Sequence, residues 1–215
     1  MTLFLLFAVE FFVLFLLSKT LTRSLSRFLS IQVLSFLFLP GVIIHELSHL
    51  LTAAILFVRV GEIEFTPKVT ENGVKLGSVE IGRCDPIRRS IIGFAPVFAG
   101  FSLILGSIYY ALQNYHTIAE WGTYVIFVIL LYFVFAVSNT MFSSSKDMEG
   151  TVALIVALLI IVILLYFLGI RIPFSIFSIL NSTQLQNFFK TADTFLVVPL
   201  MIDLLIIFAS RKIRV

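Results

Sequence analysis

The sequence predicts an all-α polytopic membrane protein with about six transmembrane helices and a small membrane-associated β-hairpin. Of its 215 residues, 60% are hydrophobic and only 13% are charged, whereas soluble domains carry roughly 25% charged residues. Apolar runs long enough to cross a bilayer recur along the chain. Residues 60–81 interrupt them with a polar, alternating pattern typical of strands. We therefore expect one integral membrane domain over residues 1–215.

The predicted helices follow from these runs. Thr2–Leu17 is the first, and the polar residues from Ser18 to Ser30 are expected to form an interfacial connector. Ile31–Val58 is longer than the ~20 residues that a bilayer needs. Because Pro40–Gly41 interrupts it, we expect a kink or break there and a helix that begins again near Gly41. Residues 171–193 look too polar for a span, and the other predicted helices are 91–112, 121–142, 151–170 and 194–210.

Residues 60–81 are predicted to form the hairpin. Glu62 and Glu64 alternate with Ile63 and Phe65, and Asn72–Gly73 is a dipeptide typical of tight turns. One interpretation is a solvated loop held at the membrane surface. The other is a strand edge that holds an unfolded peptide segment by β-addition.

His45, Glu46 and His49 form a His-Glu-x-x-His motif within an apolar run. Two histidines four residues apart on a helix point the same way, so both imidazoles can reach one zinc ion while Glu46 reaches its water. A chance motif or a pair of core histidines is the plainer alternative. Polar groups are costly in hydrocarbon, however, so such a cluster indicates a functional site. We expect the remaining histidine, His116, to lie at the surface.

A catalytic zinc site normally has three protein ligands, and the polar segment 139–150 offers two further carboxylates, Asp147 and Glu149. At this point the sequence resembles the site-2 protease family of intramembrane zinc metalloproteases. The resemblance covers Pro40 to Gly150. It lies in the His-Glu-x-x-His helix, the following β-region, Ala95–Pro96 as the family's Gly-Pro element, and Asn139 eight positions before Asp147.

The resemblance implies that zinc is bound by His45, His49 and Asp147, with Glu149 as the alternative third ligand. It also implies that Glu46 is the catalytic base and that Asn139 contacts substrate. Residues 1–30 would then form helix one and its connector, 31–150 the catalytic core, and 151–215 the C-terminal helices. The expected activity is zinc-dependent endoproteolysis of a transmembrane protein or peptide.

A second hypothesis is a non-catalytic zinc-binding membrane protein, either a transporter or an inactive regulatory relative. Glu10 and Asp203 are polar groups within predicted spans, and with the histidines they could be interpreted as steps of an ion pathway. The motif glutamate argues against transport, because a pathway does not need a carboxylate directly beside the first histidine.

The charge distribution predicts orientation rather than a nucleic-acid surface. The formal charge of +3 is spread over short connections, and ten of the 15 Lys and Arg residues fall on one side of the predicted topology. That side is expected to be cytoplasmic. It would hold both termini, the hairpin and the 139–150 loop, in what we expect to be a prokaryotic plasma membrane, without a cleaved signal peptide. Cys84 is the only cysteine, which excludes an intramolecular disulfide or a cysteine zinc cluster.

Overall fold

The computed structural model describes residues 2–65, 67–70, 73–114, 121–142, 156, 159–161, 163–169 and 182–212. This part of the chain is mostly helical, as predicted. Its elements in chain order are α1 Thr2–Leu25, α2 Ile31–Ile55, β1 Val60–Glu64, β2 Lys68–Thr70, β3 Gly73–Lys75, β4 Ser78–Ile81, α3 Pro86–Gln113, α4 Trp121–Thr140 and α5 Thr183–Lys212.

Four of the described helices, α1, α2, α3 and α5, are long and apolar enough to cross a membrane. A shorter apolar stretch lies in α4 at Tyr124–Thr140. Many large apolar side chains face outward, for example Phe36 and Phe208, which are 76% and 70% exposed. Such a surface suits lipid rather than water, and the structure is therefore compatible with an integral membrane protein. The predicted total of six helices is not confirmed, because the expected helix 151–170 is described only in part.

Two helices are longer than predicted at the ends where polar residues suggested a connector. α1 continues to Leu25, and the Ser18 and Thr22 hydroxyls donate to carbonyls of the preceding turn. α5 begins at Thr183 rather than at residue 194. Its first turns bury Phe189 against the bundle while polar residues face outward. Polar residues on one face of a helix are compatible with burial of the other face.

α3 begins at Pro86, five residues before the predicted start at Ile91. The Arg88 backbone N–H donates to the Asp85 carboxylate at 3.0 Å, so Asp85 caps the helix. Proline in the first turn loses no helical hydrogen bond there. The cap and the proline together explain the earlier start.

Of the kink or break expected at Pro40, the break is wrong, since α2 runs as one helix from Ile31 to Ile55. Gly41 lies directly against α4, where a Cβ would meet the Ala136 carbonyl and the Thr140 hydroxyl. Neighbouring helices allow a membrane helix to tolerate a proline that a helix in water would not. The structure therefore has a close contact between α2 and α4 at Gly41, where a break was expected.

α1 and α5 run parallel. The ring centroids of Phe7 and Phe189 are 5.4 Å apart near the start of both helices. The Ser24 and Ser210 hydroxyls are 2.8 Å apart near their ends. If both helices cross the bilayer, the N-terminus at the start of α1 and the C-terminus at the end of α5 lie on opposite sides, whereas the predicted topology places both in the cytoplasm. α2 and α4 also run parallel, with Phe38 stacked on Phe135.

The hairpin prediction is confirmed as two antiparallel strand pairs that follow one another. β1 pairs with β4, and β2 pairs with β3. Gly73 pairs with Thr70 inside the ladder, so the predicted Asn72–Gly73 turn is one residue too late. Residues 71–72, which connect the strands, lie outside the described part of the chain. Val60 and Ile81 pack against the core around Ile92, which fixes the sheet on α2 and α3.

Candidate metal centre

His45 and His49 face each other on α2. Their Nε2 atoms are 3.2 Å apart, and their rings are nearly perpendicular with centroids at 4.8 Å. His49 is almost fully buried, as is Glu46, which follows His45 directly. The sequence prediction that helical spacing brings the two imidazoles together is confirmed.

The separation of the two nitrogens fits a metal ion. Zinc binds imidazole nitrogen at 2.0–2.1 Å with tetrahedral angles, which puts neighbouring ligand nitrogens about 3.3 Å apart. The observed Nε2–Nε2 distance of 3.2 Å is close to that value. His49 Nδ1 lies 2.9 Å from the Ile92 carbonyl oxygen. Donation of Nδ1–H to that oxygen fixes the ring and puts the lone pair of His49 on Nε2, the atom that faces His45.

The pair lies well inside the bundle rather than at its rim. His49 precedes the end of α2 at Ile55 by six residues, which is about 9 Å along a helix. The site therefore sits at membrane depth if α2 crosses the bilayer. Buried imidazoles at that depth need either a bound ligand or a hydrogen bond to one another.

Glu46 is covered by the hairpin. Gly77, between β3 and β4, approaches so closely that a Cβ there would lie 2.9 Å from Glu46 Oε1 and 2.8 Å from Val42 Cγ1. The sequence analysis missed this contact. A glycine inside an alternating strand pattern, which often marks a close backbone approach, was the signal that could have found it.

Asn139, predicted to contact substrate, lies on the last turn of α4 and is paired with α5. Its amide nitrogen donates to Asp203 Oδ1 at 2.7 Å and to the Phe135 carbonyl at 3.0 Å. Both Asn139 and Asp203 are buried. The sequence offered Asp203 only as a step of an ion pathway, and the structure pairs it with Asn139 across 64 positions of chain.

The two candidates for the third ligand, Asp147 and Glu149, lie outside the described residues, as does His116. Within the described ranges, no group of three or more His, Cys, Asp or Glu side chains could hold a metal. α4 ends at Thr140, which packs on Gly41 one turn before His45. The chain therefore leaves α4 near the depth of the histidines. Asp147 is five positions beyond Phe142, and five extended residues reach at most about 17 Å.

An open groove of about 590 Å³ runs between α2 and α3 on the outside of the bundle. Most of its lining is apolar or small, including Phe94, Ala95 and Ala99. Ser48, the neighbour of His49, lies in its wall. Small residues allow a second helix to approach closely, so the groove can accept a lipid chain or a transmembrane segment beside the histidine helix.

Compared with protein families, curated proteins and solved structures, the chain matches none of them.

Proposed function

We propose that this chain is an intramembrane zinc metalloprotease that hydrolyses a peptide bond in or near a transmembrane segment of its substrate. The observation that carries the proposal is the 3.2 Å approach of the His45 and His49 Nε2 atoms. It occurs on a helix that suits a membrane span, with a buried glutamate beside it. The resemblance in sequence to the site-2 protease family supports the same reaction.

Each residue of the proposed zinc site has a separate role. His45 and His49 hold the ion, with Asp147 as the proposed third ligand and Glu149 as the alternative. A bound zinc ion would supply an acidified water and polarise the scissile carbonyl. Glu46 would accept a proton from water and return it to the leaving amine. The Ile92 carbonyl fixes the tautomer of His49 at 2.9 Å, and Gly77 limits where the Glu46 carboxylate can move.

Substrate access follows from the two surfaces next to the site. The groove between α2 and α3 offers room for a membrane-spanning segment. A helix hides its carbonyls in hydrogen bonds, so the segment must unwind before attack. The β1–β4 sheet, which touches Glu46 through Gly77, could hold the unwound part as an added strand. Asn139 is a further proposed contact of the unwound backbone.

The test is to co-express the chain with a library of single-span membrane proteins and compare cleavage fragments between wild type and Glu46→Gln. The expected result is one or more fragments that require Glu46, with zinc retained in the variant. The matched control is Gln184→Glu, the reverse exchange at an exposed position on α5. Identical fragments from wild type and Glu46→Gln would refute the proposed role.

A zinc-binding transporter is the second candidate, and one specific observation favours it. Asp193 on α5 is buried, and within the described part of the chain neither of its carboxyl oxygens has a hydrogen-bond partner. Glu10 on α1 lies within electrostatic range of it. Buried carboxyls in a membrane often mark ion pathways. Zinc flux into vesicles that survives Glu46→Gln but is lost in Asp193→Asn would favour transport over proteolysis.

A further inference from the structure

Phe57 has a backbone conformation that its side chain does not favour. It follows the end of α2 with a φ of 55°, in the left-handed region. Two backbone bonds close the helix around it, from the Phe57 N–H to the Ala54 carbonyl and from the Val58 N–H to the Ala53 carbonyl. This termination normally uses glycine, because a Cβ is crowded in the left-handed region. A phenylalanine there destabilises the fold.

The Phe57 side chain gains nothing from packing in return, since it is 93% exposed. Its neighbour Val58 is buried in the small core around Ile92 and holds the segment in place. A costly backbone conformation that presents an exposed aromatic ring indicates a role outside the fold. Aromatic side chains, including Phe, insert at the boundary of headgroups and acyl chains in interfacial segments.

Exposed arginines lie at the same end of the bundle as Phe57. Arg59 is two residues away, and the Gly82 N–H donates to the Arg59 carbonyl at 2.8 Å, which places Arg83 beside it. Arg89 is exposed on the first turns of α3. Of the nearby basic groups, Arg88 is paired with Asp85 at 3.1 Å. The positive charge around Phe57 therefore comes mainly from Arg59, Arg83 and Arg89.

Glu80 of β4 is on the other face of the sheet. Ile81 packs on the core side with Val60, and successive strand residues point to opposite faces. Glu80 therefore points away from the core, and it approaches Gly61 of β1. The end of α2 thus combines positive charge with an exposed aromatic ring. A phospholipid offers the matching groups, a phosphate and, just below it, the start of the acyl chains.

We propose that Phe57, Arg59, Arg83 and Arg89 form a binding site for the headgroup of an anionic phospholipid, with the Phe57 ring inserted at the membrane interface. The arginines bind the phosphate, and the ring anchors the end of α2. Because His49 lies on α2 eight residues before Phe57, and Phe57 directly follows the C-cap of that helix, the anchored lipid fixes the depth of the histidine pair. This site does not depend on whether the histidines catalyse hydrolysis.

The experiment measures the thermal stability of the full-length protein in detergent, with phosphatidylglycerol or phosphatidylcholine added. The variants are Phe57→Gly and Arg59→Gln/Arg83→Gln. The control is Arg23→Gln/Arg27→Gln, which removes two exposed arginines near the C-terminal end of α1. They lie close to the start of α2, whereas Phe57 follows the end of α2. We expect phosphatidylglycerol to raise the Tm of wild type and of the control more than phosphatidylcholine does. Both site variants should lose most of that difference.

Phe57→Gly also separates a lipid anchor from a purely structural residue. Without lipid it should be at least as stable as wild type, since glycine relieves the left-handed conformation. A Tm below wild type in lipid-free detergent would mean that the ring stabilises the fold, and would overturn the proposal. Equal shifts with both lipids, or an equal loss in the control, would also overturn it, because binding would then be non-specific.

A second measurement locates the ring. Phe57→Trp in a Trp121→Phe background leaves one tryptophan, because Trp121 is the only one in the chain. We expect its fluorescence in vesicles to be quenched by lipids brominated near the headgroup end of the acyl chain. Quenching by aqueous iodide instead would place the ring in water and contradict the anchor.

Discussion

Gly77→Ala is the sharpest test of the contact between the hairpin and Glu46. The added Cβ would lie 2.9 Å from Glu46 Oε1, 2.8 Å from Val42 Cγ1 and 3.1 Å from Glu46 Cγ. Contacts this short are not tolerated, so either the hairpin lifts or the Glu46 carboxylate rotates away. Overpacking of this kind typically costs about 1–3 kcal/mol. If that cost falls on the transition state, kcat/KM drops roughly 5- to 150-fold.

The assay is cleavage of a membrane-spanning substrate in detergent or vesicles, together with zinc content and Tm. Zinc should be retained, because the new methyl group meets Glu46 and Val42 rather than either imidazole. The matched control is Gly106→Ala in α3, where a Cβ would meet nothing within 4 Å. Normal kcat/KM in a folded Gly77→Ala protein would refute the reasoning, since the close approach would then not constrain the carboxylate.

Three further predictions concern the helices and the third ligand. Gly41→Ala places a Cβ against Ala136 and should destabilise the fold by about 1–3 kcal/mol, seen as a lower Tm than the Gly106→Ala control; an unchanged Tm would contradict the close α2–α4 contact. The backbone N–H of Arg88 holds the pKa of Asp85 below its usual range, so its contribution to stability is present above the pKa of the unfolded chain and is lost as pH falls through the lower pKa of the folded protein. The Tm of Asp85→Ala should therefore be lower than that of wild type at neutral pH and approach it in strong acid, while a constant gap would exclude the cap. Asp147→Ala should lose zinc and cleavage while Glu149→Ala is mild, and the opposite ranking would make Glu149 the ligand.

The part of the site that depends on one helix could be predicted from the sequence. The positions of His45 and His49 follow from the period of an α-helix, and tertiary packing did not alter it. The same is true of the hairpin, where alternation is a local property of each strand. Its turn was misplaced by one residue because Gly73 belongs to the ladder, opposite Thr70.

Contacts between distant segments could not be predicted in this way. The spacing of residues does not predict that Asn139 pairs with Asp203 or that α1 is parallel to α5. Hydropathy indicates that a segment is buried, but it does not indicate which segment lies next to it. The error at Pro40 has a related cause. The rule that proline breaks a helix treats the helix alone, whereas Gly41 and the last turn of α4 hold α2 continuous.

The central claim is that the histidine pair holds a zinc ion for hydrolysis assisted by Glu46, and one measurement on purified protein tests it most directly. Zinc content and cleavage of an identified substrate are followed in the same samples, before and after chelation and after zinc is restored. We expect about one zinc per chain, cleavage that is lost and regained with the metal, and a Glu46→Gln protein that keeps zinc but does not cleave. Undiminished cleavage by the zinc-free protein, or full zinc content in His45→Ala/His49→Ala, would contradict the claim.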